Sequence, residues 1–189
     1  MKAIFLDRDG TINEDMGYLN HIDRFILLPR SIEAIKLINK SGFKAVVVTN
    51  QAGLGMGYFS ETLLEEIHIK LKNLLEKSGA YLDGIYHCPH HPNALVEKYK
   101  ANCECRKPRS GMLLKASRDI GIDLQESFMI GDKIVDVELA HGVGAKGIMV
   151  KTGYGKGEYE YSRHKWKNQP DYIADDLYEA VKWILDGKV

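Results

Sequence analysis

The sequence has no long apolar run, no excess of charge of either sign and only three cysteines, and each shortage excludes a class of protein. Its longest unbroken aliphatic run, Ala45 to Val48, falls far short of the ~20 residues that a membrane-spanning helix needs. The chain passes from Ala3-Ile4-Phe5-Leu6 straight into Asp7-Arg8-Asp9, so neither a signal peptide nor a membrane anchor is expected, and a cytoplasmic protein is. Lys+Arg and Asp+Glu each total 26, a formal net charge of zero, and the basic excess of a non-specific nucleic-acid binder is missing. The cysteines are odd in number and all lie between Cys88 and Cys105, which does not suit a disulfide framework spread over a secreted fold. Metal binding suits them better. No G-x-x-x-x-G-K-[ST] occurs, which excludes a P-loop, and no internal repeat or low-complexity segment is present.

What is there is an ordinary globular composition: 44% hydrophobic and 28% charged over 189 residues, enough for one core and one unit spanning 1–189. Short runs rich in Val and Ile alternate with longer stretches of helical period, the pattern of an α/β protein with a mostly parallel sheet. Strands are predicted at Ala3–Leu6, Lys44–Thr49, Gly84–Cys88, Phe128–Ile130, Gly147–Val150 and Tyr172–Ile173. Leu63, Leu64, Ile67, Leu71, Leu74 and Leu75 follow Ser60, a good N-cap, and read as one amphipathic helix. Other helices are predicted over about Ser31–Lys40, Met112–Ile120, Ile134–His141 and Asp176–Leu185, with Gly42 and Gly121 where a helix end favours positive φ. Two stretches show no clear period: Pro89 to Pro108, which holds three prolines, and the glycine-rich Thr152 to Gln169, which reads as surface loop. Met56, Met112 and Met129 read as core or pocket lining.

The strand ends carry the chemistry. In an open parallel sheet ligands bind beyond the carboxyl ends of the strands. There the first strand presents Asp7-Arg8-Asp9-Gly10-Thr11, the second Thr49-Asn50-Gln51, and the fourth Gly131-Asp132-Lys133-Ile134-Val135-Asp136. Clustered carboxylates favour raised pKa values or a hard cation, and Mg²⁺ suits a site with few protein carboxylates that also binds phosphate. A carboxylate nucleophile cannot approach a phosphate dianion without compensation, which Lys107, Lys133 and Mg²⁺ supply, so the set suits phosphoryl transfer through an aspartyl-phosphate. Rival readings fail. An EF-hand starting at Asp7 has Ile12 where Gly belongs and Tyr18 where Glu belongs. Gly142-Val143-Gly144-Ala145-Lys146-Gly147 matches G-x-G-x-x-G but follows a predicted helix and opens a strand, the reverse of a dinucleotide site.

Asp7-x-Asp9-Gly10-Thr11, Thr49 after a hydrophobic strand, Lys107-Pro108, and Gly131-Asp132-x-x-x-Asp136 resemble, in order and spacing, the four motifs of the haloacid dehalogenase superfamily. Cys88-Pro89-His90-His91-Pro92 and Cys105-Arg106-Lys107-Pro108 narrow the resemblance to its heptose 1,7-bisphosphate phosphatases, over roughly residues 1 to 155. The resemblance implies a three-layer doubly wound sheet without a separate cap domain and a phosphomonoester hydrolase that takes the C7 phosphate from a heptose bisphosphate. Asp7 would be the nucleophile and a Mg²⁺ ligand, with Asp132 and the Asp9 backbone carbonyl as further ligands and Asp136 supporting the metal site. Asp9 would be the acid and base, Thr49 and Lys107 would hold the transferring phosphoryl group, and Asn50, Gln51, Arg106 and Lys133 would bind substrate. The loop Ala52-Gly53-Leu54-Gly55-Met56-Gly57-Tyr58 departs from the family in lacking basic side chains, a place where backbone N–H groups can serve instead. Histidinol-phosphate phosphatases share these motifs, but the twelve residues between His90 and Cys103, and Lys133, favour the heptose enzymes. A catalytically dead zinc-loop binding module is disfavoured by the intact Asp7, Asp9, Lys107 and Asp132. The expected partner is a small sugar phosphate and the expected state a monomer.

Cys88 with His90, and Cys103 with Cys105, stand at i and i+2, where both side chains of an extended segment share a side. Together they make a closed tetrahedral Zn²⁺ set in a loop of about 88–108, structural because no position is left for water. His87 and His91 compete as ligands by proximity; the family pattern selects His90. Cys105 leads directly into Arg106-Lys107, so zinc would pin the loop that delivers the lysine.

Overall fold

The structure is a computed structural model that describes residues 1–187; the last two residues of the expected 1–189 unit, 188 and 189, lie outside the described residues. Six parallel strands form one sheet: β1 (Ala3–Leu6), β2 (Lys44–Asn50), β3 (Gly84–Cys88), β4 (Phe128–Gly131), β5 (Lys146–Val150) and β6 (Tyr172–Ala174), in the order β3-β2-β1-β4-β5-β6. Every predicted strand is present, extended by Asn50, Gly131, Lys146 or Ala174 at four ends. All four residues of β1 are buried, the mark of a strand covered on both faces. Alternation divides them: Ile4 and Leu6 join the core under α1 (Ser31–Ser41), α3 (Glu61–Lys77) and α7 (Leu177–Leu185), while Ala3 and Phe5 join the core under α4 (Gly111–Ile120) and α5 (Ile134–His141). Three layers result, and no inserted cap forms a second sheet among the described residues.

Local chemistry sets the helix limits. Ser60 caps α3 by accepting from Leu63 N at 3.1 Å, and Asp176, predicted as the first residue of α7, is its N-cap and accepts from Glu179 N at 2.9 Å. Gly42 and Gly121 end α1 and α4 at φ of 86° and 73°, values that cost an L side chain energy. Ile67, Leu71 and Leu75 of α3 are fully buried, each contributing about 1.5–3 kcal/mol relative to exposure. Among the described residues no helix is long and apolar enough to cross a membrane.

Three features escape the periodicity. A short helix α2 (Ala52–Gly55) follows β2, built on buried Gly53, Leu54 and Gly55. The loop from Pro89 to Ser110 contains one 3₁₀ turn, Glu97–Tyr99, and Ala94 and Tyr99 bury it against Leu54 and Leu64 in a small core of their own. The stretch read as surface loop, 152–169, opens with α6 (Gly155–Gly157), continues in single helical turns to Lys165, and packs its first residues on the strand ends. Gly142–Gly147 follows α5 and opens β5, as the rejection of a dinucleotide motif requires.

Candidate active site

The strand order reverses at β1, whose neighbours are β2 and β4, and the side chains that leave these three strands meet there. Asp7 follows β1 directly, tied to the next strand by its N–H to the Ile130 carbonyl at 2.9 Å. Its Oδ1 accepts from Arg8 N at 2.7 Å and lies 2.9 Å from Lys107 Nζ. Lys107 comes from the irregular loop, and its ammonium is fully buried, reaching Asp136 Oδ1 at 2.6 Å and the Val48 carbonyl at 3.2 Å. Burial alone would lower the Lys107 pKa; Asp136 and Asp7 outweigh it and hold it above the ordinary lysine value. Asp136 Oδ2 also accepts from Lys133 N at 3.2 Å, capping α5.

Asp132, immediately after β4, is fully buried. Its Oδ2 accepts from Tyr154 N at 2.8 Å, but its Oδ1 has no hydrogen-bond partner among the described residues. Burial, with Asp7 beside it, pushes its pKa up to about 8. Burial and Asp7 also push Asp136 up to about 6, against the pull of Lys107. Oxygens of Asp7, Asp132 and Asp136 lie within 4.8 Å of one another, all buried. An orphaned carboxylate oxygen among like charges is the environment a hard divalent cation relieves, so this donor set fits Mg²⁺. Gly10 makes room for it: at φ +84° a Cβ there would stand 2.2 Å from Asp132 Oδ2.

Asp9 carries the most crowded carboxylate. Its Oδ1 accepts from Arg8 Nε and Nη2 at 3.2 and 2.9 Å and from Asn13 Nδ2 at 2.9 Å; its Oδ2 accepts from Arg8 Nη2 and Gln51 Nε2, both at 2.8 Å. Burial would raise its pKa, but the Arg8 charge and the amide donors of Asn13 and Gln51 hold it below the ordinary carboxylate value. Thr49, at the end of β2, accepts from Gln51 Nε2 at 2.9 Å. Around these groups lies a cavity of about 380 Å³, lined by Asp7, Asp9, Thr49, Arg106, Lys107 and Lys133 among others.

Two residues expected to bind substrate also hydrogen-bond to neighbouring site residues. Gln51 is buried and donates to Asp9 and Thr49. Asn50 grips the Lys107 backbone, its Oδ1 accepting from Lys107 N at 3.1 Å and its Nδ2 donating to Lys107 O at 3.3 Å. Both line the cavity. Arg106 donates to the His90 carbonyl at 3.3 Å, and Lys133 Nζ lies 3.1 Å from Asp15 and 4.3 Å from the Tyr154 ring centroid. Sequence reasoning passed over Arg8, Asn13, Asp15, His68 and Tyr154. Arg8 had a signal, lying between two singled-out carboxylates; Tyr154 had none, because only the chain's return to Gly10 and Asp132 brings it here.

The cysteines converge as expected. Cys88 Sγ is 3.4 Å from Cys103 Sγ and 3.0 Å from Cys105 Sγ, those two are 3.2 Å apart, and His90 Nδ1 is 3.3 Å from Cys105 Sγ. A tetrahedral Zn²⁺ with bonds of ~2.3 Å spaces its sulfurs by about 3.8 Å, so a small expansion admits the ion. Burial pushes the Cys88 thiol up, and three soft donors with an imidazole are the set that Zn²⁺ takes. Of the competing histidines, His87 faces His68 across 5.8 Å, and half-buried His91 accepts from Asn93 N through Nδ1. His90 is the one that reaches the thiols.

The HAD-hydrolase-like family model matches residues 104–180. The D-glycero-beta-D-manno-heptose-1,7-bisphosphate 7-phosphatase of Haemophilus influenzae is 45% identical over 187 residues, covering 96% of this chain and 95% of its own. The Escherichia coli K12 protein of that name is 46% identical over 185 residues, covering 95% and 93%. Among solved structures, the D,D-heptose 1,7-bisphosphate phosphatase from B. bronchiseptica, complexed with magnesium and phosphate, matches at a TM-score of 0.88 with 31% identity over 99% of both chains.

Proposed function

Because the chain belongs to the HAD-like heptose-1,7-bisphosphate 7-phosphatases, we propose that it removes the C7 phosphate of D-glycero-D-manno-heptose 1,7-bisphosphate through an aspartyl-phosphate, leaving the heptose 1-phosphate. The observation that carries this reading is Asp7, a buried carboxylate at the end of the central strand, 2.9 Å from a buried ammonium that can neutralise an incoming phosphate. Asp7 attacks phosphorus as the bond to the sugar oxygen breaks. Asp9 gives that oxygen a proton, then takes one from the water that hydrolyses the acyl phosphate. Lys107 and the Thr49 hydroxyl hold the phosphoryl oxygens, while Arg106 and Lys133 border the cavity where the sugar and its second phosphate extend. Asp7, Asp132 and the Asp9 carbonyl would hold Mg²⁺, which would supply positive charge to the phosphoryl group; Asp136 acts through Lys107.

Cys88, His90, Cys103 and Cys105 hold a structural Zn²⁺. Its use is to anchor the loop two residues ahead of Lys107. The working unit of this reading is a monomer, and three thiols without a disulfide suit a reducing cytoplasm. Phosphate release from both anomers of the heptose bisphosphate, from histidinol phosphate and from fructose 1,6-bisphosphate tests the assignment. A heptose bisphosphate should lead by kcat/KM, and a lead for histidinol phosphate would overturn the substrate while leaving the chemistry intact. Asp7→Asn should abolish turnover on every member of the panel.

A further inference from the structure

Arg8 is fully buried, an unusual place for a guanidinium, and among the described residues its side chain makes hydrogen-bond contacts with two others, Asp9 and His68. Nε and Nη2 hold the Asp9 carboxylate. Nη1 lies 3.2 Å from Nε2 of His68, on the face of α3 that looks back at the strand ends. A guanidinium has no acceptor atom, so in this contact Nη1 donates and the His68 ring is neutral, with its proton on Nδ1. Burial, followed by the charges of Arg8 and of His87, indeed drives the His68 pKa down to about 3. The chain of contacts therefore runs from α3 through the guanidinium to the carboxylate beside the nucleophile. His68 adds no charge that would compete with Asp9 for Arg8.

An acid that must donate to a leaving group has to leave these donors, because all five hydrogen bonds on Asp9 are ones it accepts. Were the guanidinium free, it would follow the carboxylate and keep it ionised. We propose that His68 is a positioning residue for the leaving-group step: by fixing the far nitrogen of Arg8 to α3, it holds the guanidinium in place while Asp9 turns from it to the sugar oxygen and back. This inference rests on the reading of Asp9 as the general acid.

The test uses kcat/KM, which reports only the steps up to departure of the leaving group, on the heptose bisphosphate and on p-nitrophenyl phosphate, whose leaving group needs no proton. Asp9→Asn is measured first and should lower the sugar-to-aryl ratio of kcat/KM. His68→Phe, which keeps the ring but has no acceptor, should lower the same ratio about 10–10²-fold. His68→Gln, whose amide oxygen can accept from Nη1, should recover most of it. His68→Leu makes the same deletion in a smaller volume if Phe is not accommodated, and thermal melts confirm that each variant is folded. A purely structural role would lower both substrates together and leave the ratio where it was. An unchanged ratio in the folded deletion variants, or a Gln variant no better than Phe or Leu, overturns the proposal while the acid reading stands. An Asp9→Asn variant that loses equally on both substrates overturns the acid reading, and the role of His68 with it.

Discussion

Asp132 has a buried oxygen without a donor and a carboxyl that burial and Asp7 push from the ordinary 3.8 up to about 8. An acid whose pKa is higher folded than unfolded binds its proton more tightly when folded, so it withdraws stability progressively as pH rises from about 4 to about 8. Asp136, pushed up to about 6 by burial and Asp7, acts in the same direction over a narrower window. Mg²⁺ must displace that proton and relieves the same repulsion. The rise in Tm on adding Mg²⁺ should therefore be small at pH 5, large at pH 8, and lost in Asp132→Asn; a rise independent of pH would contradict this. Lys107 makes a second demand at this scale, because its ammonium is the buried counter-charge to Asp7 and Asp136. Lys107→Met should cost about 3–5 kcal/mol in urea unfolding, the range for removing one partner of a buried pair, and should abolish turnover.

Two connections behave as elements in their own right. The loop from Pro89 to Ser110 has little helix or strand, and its order comes from the small core around Ala94 and Tyr99 and from the Cys88, His90, Cys103, Cys105 cluster. Cys103→Ser should release the zinc found by elemental analysis, raise amide exchange over 89–110 more than in the sheet, and lower kcat. A displacement of Lys107 by ~1 Å would account for a loss on the order of 10²-fold. A zinc-free wild type, or a variant equal to it in activity and exchange, would show the thiols to be ordinary ones. The turn after β5 is the other case: Thr152 donates to the Gly10 carbonyl, Tyr154 N donates to Asp132, and a Cβ on Gly153 would stand 2.3 Å from Asp132 Oδ2. Gly153→Ala should weaken Mg²⁺ activation, raising the Mg²⁺ concentration needed for half-maximal rate, with little effect on the zinc content.

At the scale of the whole molecule, strands from both halves of the chain share one sheet, with β1 between β2 and β4, so neither half has a complete core without the other. Residues 1–189 should therefore unfold as a single unit, with far-UV circular dichroism and tyrosine fluorescence giving coincident denaturant curves. Separate transitions would divide the chain. All six strands and the five long helices were legible from periodicity, capping and turn residues, because each of those signals lies within a few neighbouring positions. The carboxylates Asp7, Asp9 and Asp132, with Thr49, were legible for a related reason: each stands at or just beyond the carboxyl end of a strand, and a parallel sheet brings its strand ends together. Contacts between distant segments were not legible in that way. That Gln51 serves Asp9, that Asn50 serves the Lys107 backbone, that Tyr154 covers Asp132, and that His68 meets Arg8 across sixty positions are consequences of packing α3 and the late turn against the site. The sequence by itself determined which side chains were available and at which strand ends they stand. Tertiary structure alone decided which of them line the cavity and which hydrogen-bond to another residue, because a side chain's hydrogen-bond partner depends on the element folded against it.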